Sequence, residues 1–177
     1  MMNKITLILG GARSGKSAYA QKMAQGGRGR VAFIATCMPK DKEMAARIKL
    51  HKRARPADWK TFEDPESIPA LLRKIGASFD IVVIDCLTLW VSGFVLKGNS
   101  FISIKKETKS LLRTLRKINA CSIVVSNEVG QGIVPDNKLA RDFRDIAGKV
   151  NQLVASQADE VFFMVAGLPL NIKRKAK

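Results

Sequence analysis

The run Gly10-Gly11-Ala12-Arg13-Ser14-Gly15-Lys16-Ser17 has the spacing G-x-x-x-x-G-K-[ST], and the chemistry that spacing serves is phosphate binding. Glycines let the backbone turn so that successive N–H groups face inward, and with the start of a following helix they form an anion nest. Lys16 adds a cation for β- and γ-phosphates, and Ser17 adds a hydroxyl that suits Mg²⁺. A glycine-rich turn could match the pattern by chance, but a strand-like apolar run precedes this one and a helix-like stretch follows it. Ile81-Val82-Val83-Ile84-Asp85 reads as the second half of such a site, a neighbouring hydrophobic strand that ends in a carboxylate for the metal. A second role for Asp85 stays open, as a cap for the helix that begins through Cys86-Leu87-Thr88.

Two further constellations carry reactive groups. His51 is the single histidine, and on a helix Met44, Ile48 and His51 fall at i, i+4 and i+7, with Arg47 one turn before the imidazole. Spacing alone fits a packed or surface imidazole, since no Ser or Cys partner completes a triad. The setting offers another role, a neutral imidazole nitrogen that attacks a nucleoside triphosphate while Arg47, Lys52, Arg53 and Arg55 stabilise charge at phosphorus. The other constellation is Asn127-Glu128-Val129-Gly130-Gln131-Gly132-Ile133-Val134-Pro135. Here Glu128 could orient or deprotonate an acceptor hydroxyl beside glycines that admit a large substrate, or the segment is an ordinary loop whose Pro135 opens the next helix.

Positioning these groups requires a sheet. Short apolar runs rich in β-branched residues stand at 5–9, 31–35, 81–85, 122–126 and 160–165, and their lack of alternation predicts strands buried on both faces. Helical stretches at 16–25, 41–53, 65–76, 87–96, 102–119 and 137–157 separate them. The alternation predicts an α/β fold, a mostly parallel sheet flanked by helices with right-handed crossovers. Ligands in such sheets bind beyond the carboxyl ends of the strands, where residues 10–17, Asp85 and the cluster from Asn127 to Pro135 fall. With 177 residues, no internal repeat and no linker, the chain reads as one domain over 1–177.

Composition bounds the function classes. Hydrophobic residues at 46% exclude a disordered chain, and no apolar run approaches the ~20 residues of a bilayer span. Neither secretion nor membrane insertion is expected, and three cysteines without metal-type spacing fit reduced thiols in a cytoplasm. Against 15 acidic residues stand 31 Lys and Arg, for a net charge of +16. Apart from Arg28-Gly29-Arg30, Lys52-Arg53-Ala54-Arg55 and the tail from Lys173 to Lys177 these are scattered, which favours a solvated surface with a local phosphate site over nucleic-acid binding.

Taken together, the motifs resemble the bifunctional adenosylcobinamide kinase / adenosylcobinamide-phosphate guanylyltransferase family of cobalamin nucleotide-loop assembly. The resemblance covers almost the whole chain. Besides residues 10–17 it rests on Ile34-Ala35-Thr36, Arg47-Ile48-Lys49-Leu50-His51-Lys52, Asp85-Cys86-Leu87-Thr88-Leu89-Trp90, Ser126-Asn127-Glu128, Leu139-Ala140-Arg141-Asp142-Phe143-Arg144-Asp145 and Val165-Ala166-Gly167-Leu168-Pro169-Leu170. It implies a RecA-like P-loop domain that phosphorylates adenosylcobinamide with ATP or GTP, then passes GMP from GTP through a histidine to the phosphorylated corrinoid, with Mg²⁺ as cofactor. The histidine falls on His51. Residue by residue, Gly10, Gly11, Ala12, Arg13, Ser14, Gly15, Lys16, Ser17, Ala35, Thr36, Cys37, Lys52, Arg53, Ala54, Arg55, Glu63 and Asp85 would contact nucleotide. Where some relatives carry a second histidine this chain has Leu50. The resemblance also implies a homotrimer that holds the corrinoid near a subunit boundary. The rival readings are a P-loop kinase of another small molecule, which would transfer no nucleotidyl group, and a basic RecA-like ATPase stimulated by nucleic acid.

Overall fold

The computed structural model describes residues 3–37, 46, 49, 52, 55–63, 65 and 67–174. The order of elements is β1 (Ile5–Gly10), α1 (Lys16–Gln25), β2 (Val31–Ala35), β3 (Lys60–Glu63), α2 (Ile68–Ile75), β4 (Ile81–Asp85), α3 (Leu87–Leu96), α4 (Phe101–Lys117), β5 (Cys121–Asn127), α5 (Lys138–Gln157), β6 (Glu160–Val165) and β7 (Leu168–Arg174). The strands form one seven-stranded sheet in the order β3-β2-β4-β5-β1-β6-β7. Every pairing is parallel except β6 with β7.

Aliphatic runs build the middle of this sheet because both of its faces are covered. Ile5, Leu7 and Leu9 of β1 pack with side chains of α2, α3, α4 and α5, whereas Ile8 packs with Ala20 and Ala24 of α1. Alternate residues thus serve opposite cores, and a strand with two apolar faces reads as a continuous apolar run.

Local chemistry sets the helix starts. Ser67 accepts from the Ala70 N–H at 3.3 Å, Ser100 from the Ser103 N–H at 3.3 Å, and Asn137 from the Ala140 N–H at 2.7 Å. These caps move the first helical residue of the 65–76 stretch to Ile68 and make Asn137 a cap, with Lys138 the first residue of α5. The stretches 16–25 and 87–96 match α1 and α3 as expected. The helix expected over 41–53 lies outside the described residues, apart from Ala46, Lys49 and Lys52.

Two strands are additions to the sequence reading, and both lie at sheet edges. β3 is short and half-exposed, Lys-Thr-Phe-Glu, with no aliphatic run to mark it. β7 holds Pro169, whose missing N–H an edge strand tolerates. Ala166 at φ 51° and Gly167 at φ 83° form the two-residue turn into it, the left-handed geometry that tight hairpins favour.

Candidate functional site

Gly10, Ala35, Glu63 and Asp85 are the last residues of β1, β2, β3 and β4, so they mark the carboxyl edge of the sheet. Residues 10–15 join β1 to α1, with Arg13 at φ 57° and Gly15 at φ 91°. A Cβ on Gly10 would lie 2.6 Å from Ser14 Oγ and 2.8 Å from the Met164 carbonyl oxygen, so only glycine permits this turn. Unlike α2, α4 and α5, helix α1 has no side-chain cap, and its first turn holds no acid. The start of a helix carries donor N–H groups and the positive end of its dipole, and here no N-cap side chain competes with an anion for them. Lys16 is 7% exposed, and its Nζ donates to the Gly11 carbonyl at 2.5 Å and lies 3.5 Å from Ser14 Oγ, so the cation is folded over its own loop. Ser17 follows in the first turn and is partly exposed.

Across the edge, Ala35 of β2 is in register with both Glu63 of β3 and Asp85 of β4. Asp85 does not stand on the strand next to β1, as the sequence reading expected: β5 lies between them. The N-cap of α3 is Cys86, one residue past Asp85. The Asp85–Cys86 peptide is cis, and the Thr36 hydroxyl bridges it to β2, donating to the Cys86 carbonyl at 2.6 Å and accepting from the Cys86 N–H at 2.8 Å. Burial, reinforced by the Asp85 charge, pushes the Cys86 thiol up to about 11.

Cations reach the same edge. The Arg55 guanidinium lies 3.9 Å from the Phe33 ring centre, and Phe33 is stacked on Trp59. Burial lowers the Arg55 pKa from its ordinary value, while the carboxylates of Asp85 and Glu63 act the other way. Lys52 Nζ lies 2.6 Å from Glu63 Oε1. His51, Arg47, Arg53 and Ala54 lie outside the described residues.

The comparisons with known proteins agree with this arrangement of motifs. A family model described as cobinamide kinase / cobinamide phosphate guanyltransferase matches residues 6–172. The chain belongs to that family. It is 41% identical to a bifunctional adenosylcobalamin biosynthesis protein of Pseudomonas aeruginosa, over 94% of this chain and 96% of that one. Its counterparts in Salmonella typhimurium and Escherichia coli K12 are 41% and 37% identical, each over 94% of this chain and 98% of theirs. A solved structure from Pyrococcus horikoshii OT3 shares the fold, with a TM-score of 0.61 at 10% identity over 98% of this chain and 87% of that chain.

In this member of the cobinamide kinase family, a buried polar network that sequence reasoning missed underlies Asn127 and Glu128. The Asn127 N–H donates to Thr88 Oγ1 at 2.6 Å, Thr88 Oγ1 lies 3.2 Å from Ser126 Oγ, and Ser126 Oγ donates to Asn151 Oδ1 at 2.7 Å. Asn151 closes the ring by donating from Nδ2 to the Asn127 carbonyl at 3.0 Å. The Glu128 N–H donates to the Gly10 carbonyl at 3.0 Å, and its carboxylate accepts from the Gly130 N–H at 2.8 Å. The only signal in the sequence was an asparagine amid the apolar positions of α5, and it carried no hint of its partners.

Proposed function

We propose that this chain phosphorylates adenosylcobinamide and then guanylylates the product, both at the carboxyl edge of one RecA-like P-loop domain spanning the chain. The observation that carries this reading is the loop of residues 10–17 itself: strand, glycine turn, uncapped helix start and an inward lysine, in a chain of the cobinamide kinase family.

In the first reaction the triphosphate of ATP or GTP lies in that loop, the amides of α1 and Lys16 hold its β- and γ-oxygens, and the aminopropanol hydroxyl of the corrinoid attacks the γ-phosphorus. The P–O bond to the β-phosphate breaks, the nucleoside diphosphate leaves, and Glu128 accepts the hydroxyl proton while Asn127 contacts the substrate. In the second, a His51 ring nitrogen attacks the α-phosphorus of GTP and pyrophosphate leaves. The phosphate on the corrinoid then attacks the same phosphorus, the P–N bond breaks, and adenosyl-GDP-cobinamide forms. Ala35, Thr36, Cys37, Arg53, Ala54, Arg55, Glu63 and Asp85 surround the nucleotide, with Lys52 and Arg55 offsetting phosphate charge.

The donor set fits Mg²⁺. Among the described residues no group of three or more His, Cys, Asp or Glu could hold a metal. Ser17 and Asp85 instead offer a hydroxyl and a carboxylate, the sparse oxygen set that suits an ion shared with phosphates and waters. When bound, Mg²⁺ would supply charge neutralisation at the phosphoryl oxygens.

The enzyme works in the cytoplasm as a homotrimer. Among the described residues Cys37, Cys86 and Cys121 form no disulfide, and no helix is long and apolar enough to cross a membrane. Leu168, Leu170 and Ile172 of β7 are exposed, and a neighbouring copy would cover them.

The deciding experiment is His51→Asn. Kinase activity is expected to persist, while GTP labelled at the α-phosphate no longer marks the protein and no GDP-cobinamide forms. Guanylyl transfer retained within a few-fold of the parent overturns the covalent route, because losing such a nucleophile costs orders of magnitude.

A further inference from the structure

Much of the positive charge stands where neither reaction uses it. Helix α2 leads into β4 and α4 leads into β5, so the last turns of both helices lie at the amino edge of the parallel strands, opposite residues 10–17. Two adjoining grooves run there. One, of about 400 Å³ between α4 and α5, is lined by Lys109, Arg113, Arg116 and Lys117, with Leu112 and Leu153 as apolar lining. The other, of about 500 Å³ between α2 and α4, shares Arg113 and Lys117 and adds Arg73.

Helix α4 holds six basic residues, Lys105, Lys106, Lys109, Arg113, Arg116 and Lys117, against the single acid Glu107. Lys105, Lys109, Arg113 and Lys117 follow one another at four-residue spacing, a ladder of like-charge neighbours that disfavours the helix it stands on. Arg116 is neutralised by Asp159 at 2.6 Å. None of Arg73, Lys109, Arg113 and Lys117 takes part in an ion pair among the described residues, and all four are exposed. The spacing of this ladder is plain in the sequence, and folding places Arg73 beside it.

The occupant follows from the geometry. Lys109 to Lys117 spans ~12 Å along the helix axis, and a polymer with one negative charge per ~1.7 Å engages the whole row at once. Among the described residues no aromatic side chain lines either groove, so they offer no platform for stacking unpaired bases. The exposed large hydrophobics, such as Ile102, Ile133 and Leu168, also lie outside both grooves, so there is no wedge for a lipid surface. What remains is contact with a phosphodiester backbone whose bases are turned inward. We propose that the paired grooves between α2, α4 and α5 bind the backbone of a nucleic-acid duplex without sequence preference.

The test uses the full chain and a short fluorescein-labelled DNA duplex of mixed sequence, with anisotropy titrations across a salt series. Affinity is expected to fall linearly on logarithmic axes, and Arg113→Glu/Lys117→Glu to weaken binding by about tenfold or more and lower the salt slope by about two. Lys22→Glu/Lys97→Glu makes the same change in net charge on other exposed positions and is expected to stay within about threefold of the parent. Arg113→Gln/Lys117→Gln, with less charge repulsion, is expected to lower the slope to the same extent. Cobinamide phosphorylation is expected unchanged in all three variants, which reports folding and keeps this test separate from the catalytic assignment. Equal losses in the two charge-reversed pairs, or no binding of the duplex at low salt, overturns the proposal. So does binding to phosphatidylserine vesicles that needs Arg113 and Lys117 when duplex binding does not.

Discussion

The N–H of Gly167 donates a 3.1 Å hydrogen bond to the carbonyl of Ser14, so the turn of the β6–β7 hairpin braces the loop that follows β1. Glu128 braces the same loop from the other side, through its N–H to Gly10. Strand β1 lies between β5 and β6, and the tips of both neighbours therefore hold the loop between β1 and α1 in shape. Contact at Gly15 is close: a Cβ there would sit 3.2 Å from Gly167 Cα.

This bracing predicts a graded response to alanine. Gly167 has φ 83° but open space around its missing Cβ, so Gly167→Ala is expected to cost about 1 kcal/mol in backbone strain and weaken nucleotide binding modestly. Gly15→Ala adds a steric push against Gly167 to the same strain and is expected to lose more of both. Urea denaturation and nucleotide titration check the order, and a Gly15→Ala variant that binds nucleotide better than Gly167→Ala contradicts it.

Lys16→Ala removes the cation folded into the loop. Nucleotide binding is expected to weaken and phosphorylation of the cobinamide hydroxyl to be lost, by analogy with the several kcal/mol that a transition-state charge contact contributes. An unchanged kinase rate would remove the phosphate role from this loop.

Asp85→Asn is expected to lower activity chiefly through looser Mg²⁺, so that added metal restores part of it. The same change withdraws a carboxylate that supports the charge on Arg55. Should Mg²⁺ titrations of mutant and parent superimpose, Asp85 serves the start of α3 and not the metal.

Cys86 gives a pH signature. Its thiol is pushed up to about 11 by burial and by Asp85, from an ordinary value of 9.0. Between those values the folded chain holds a proton that the unfolded chain has lost, so stability falls as pH rises through this window and is unaffected below it. Cys86→Ala is expected to flatten that part of the profile, relative to the parent, by an amount of order 2 kcal/mol at the alkaline end. Denaturant midpoints at pH 8 and above measure it. Native Cys86 is also expected to resist alkylation at neutral pH, where the neutral thiol is not a nucleophile.

What the sequence made legible follows from local rules. Residues 10–17 are contiguous, so their chemistry needs no partner to be recognised, and the Ile81-Val82-Val83-Ile84-Asp85 run marks its strand because a doubly covered strand must be apolar throughout. Edge strands obey no such rule. β3 and β7 are half-solvated, and their polar residues and Pro169 look like loop until a neighbour supplies the ladder.

By itself the sequence determined the glycine loop after β1, the parallel core strands, the described helices that separate them and the family. Those features arise from residues within one or two turns of each other, where glycine freedom, apolar periodicity and capping act. Only the tertiary structure decided that β5 separates β1 from Asp85, that Asn151 ties Thr88, Ser126 and Asn127 together, that Gly167 braces Ser14, and that Arg73 joins the cations of α4. Each of these joins residues far apart in the chain, and a hydrogen bond or a charge row across such a distance is set by which strand pairs with which, a choice made by burying the whole core at once.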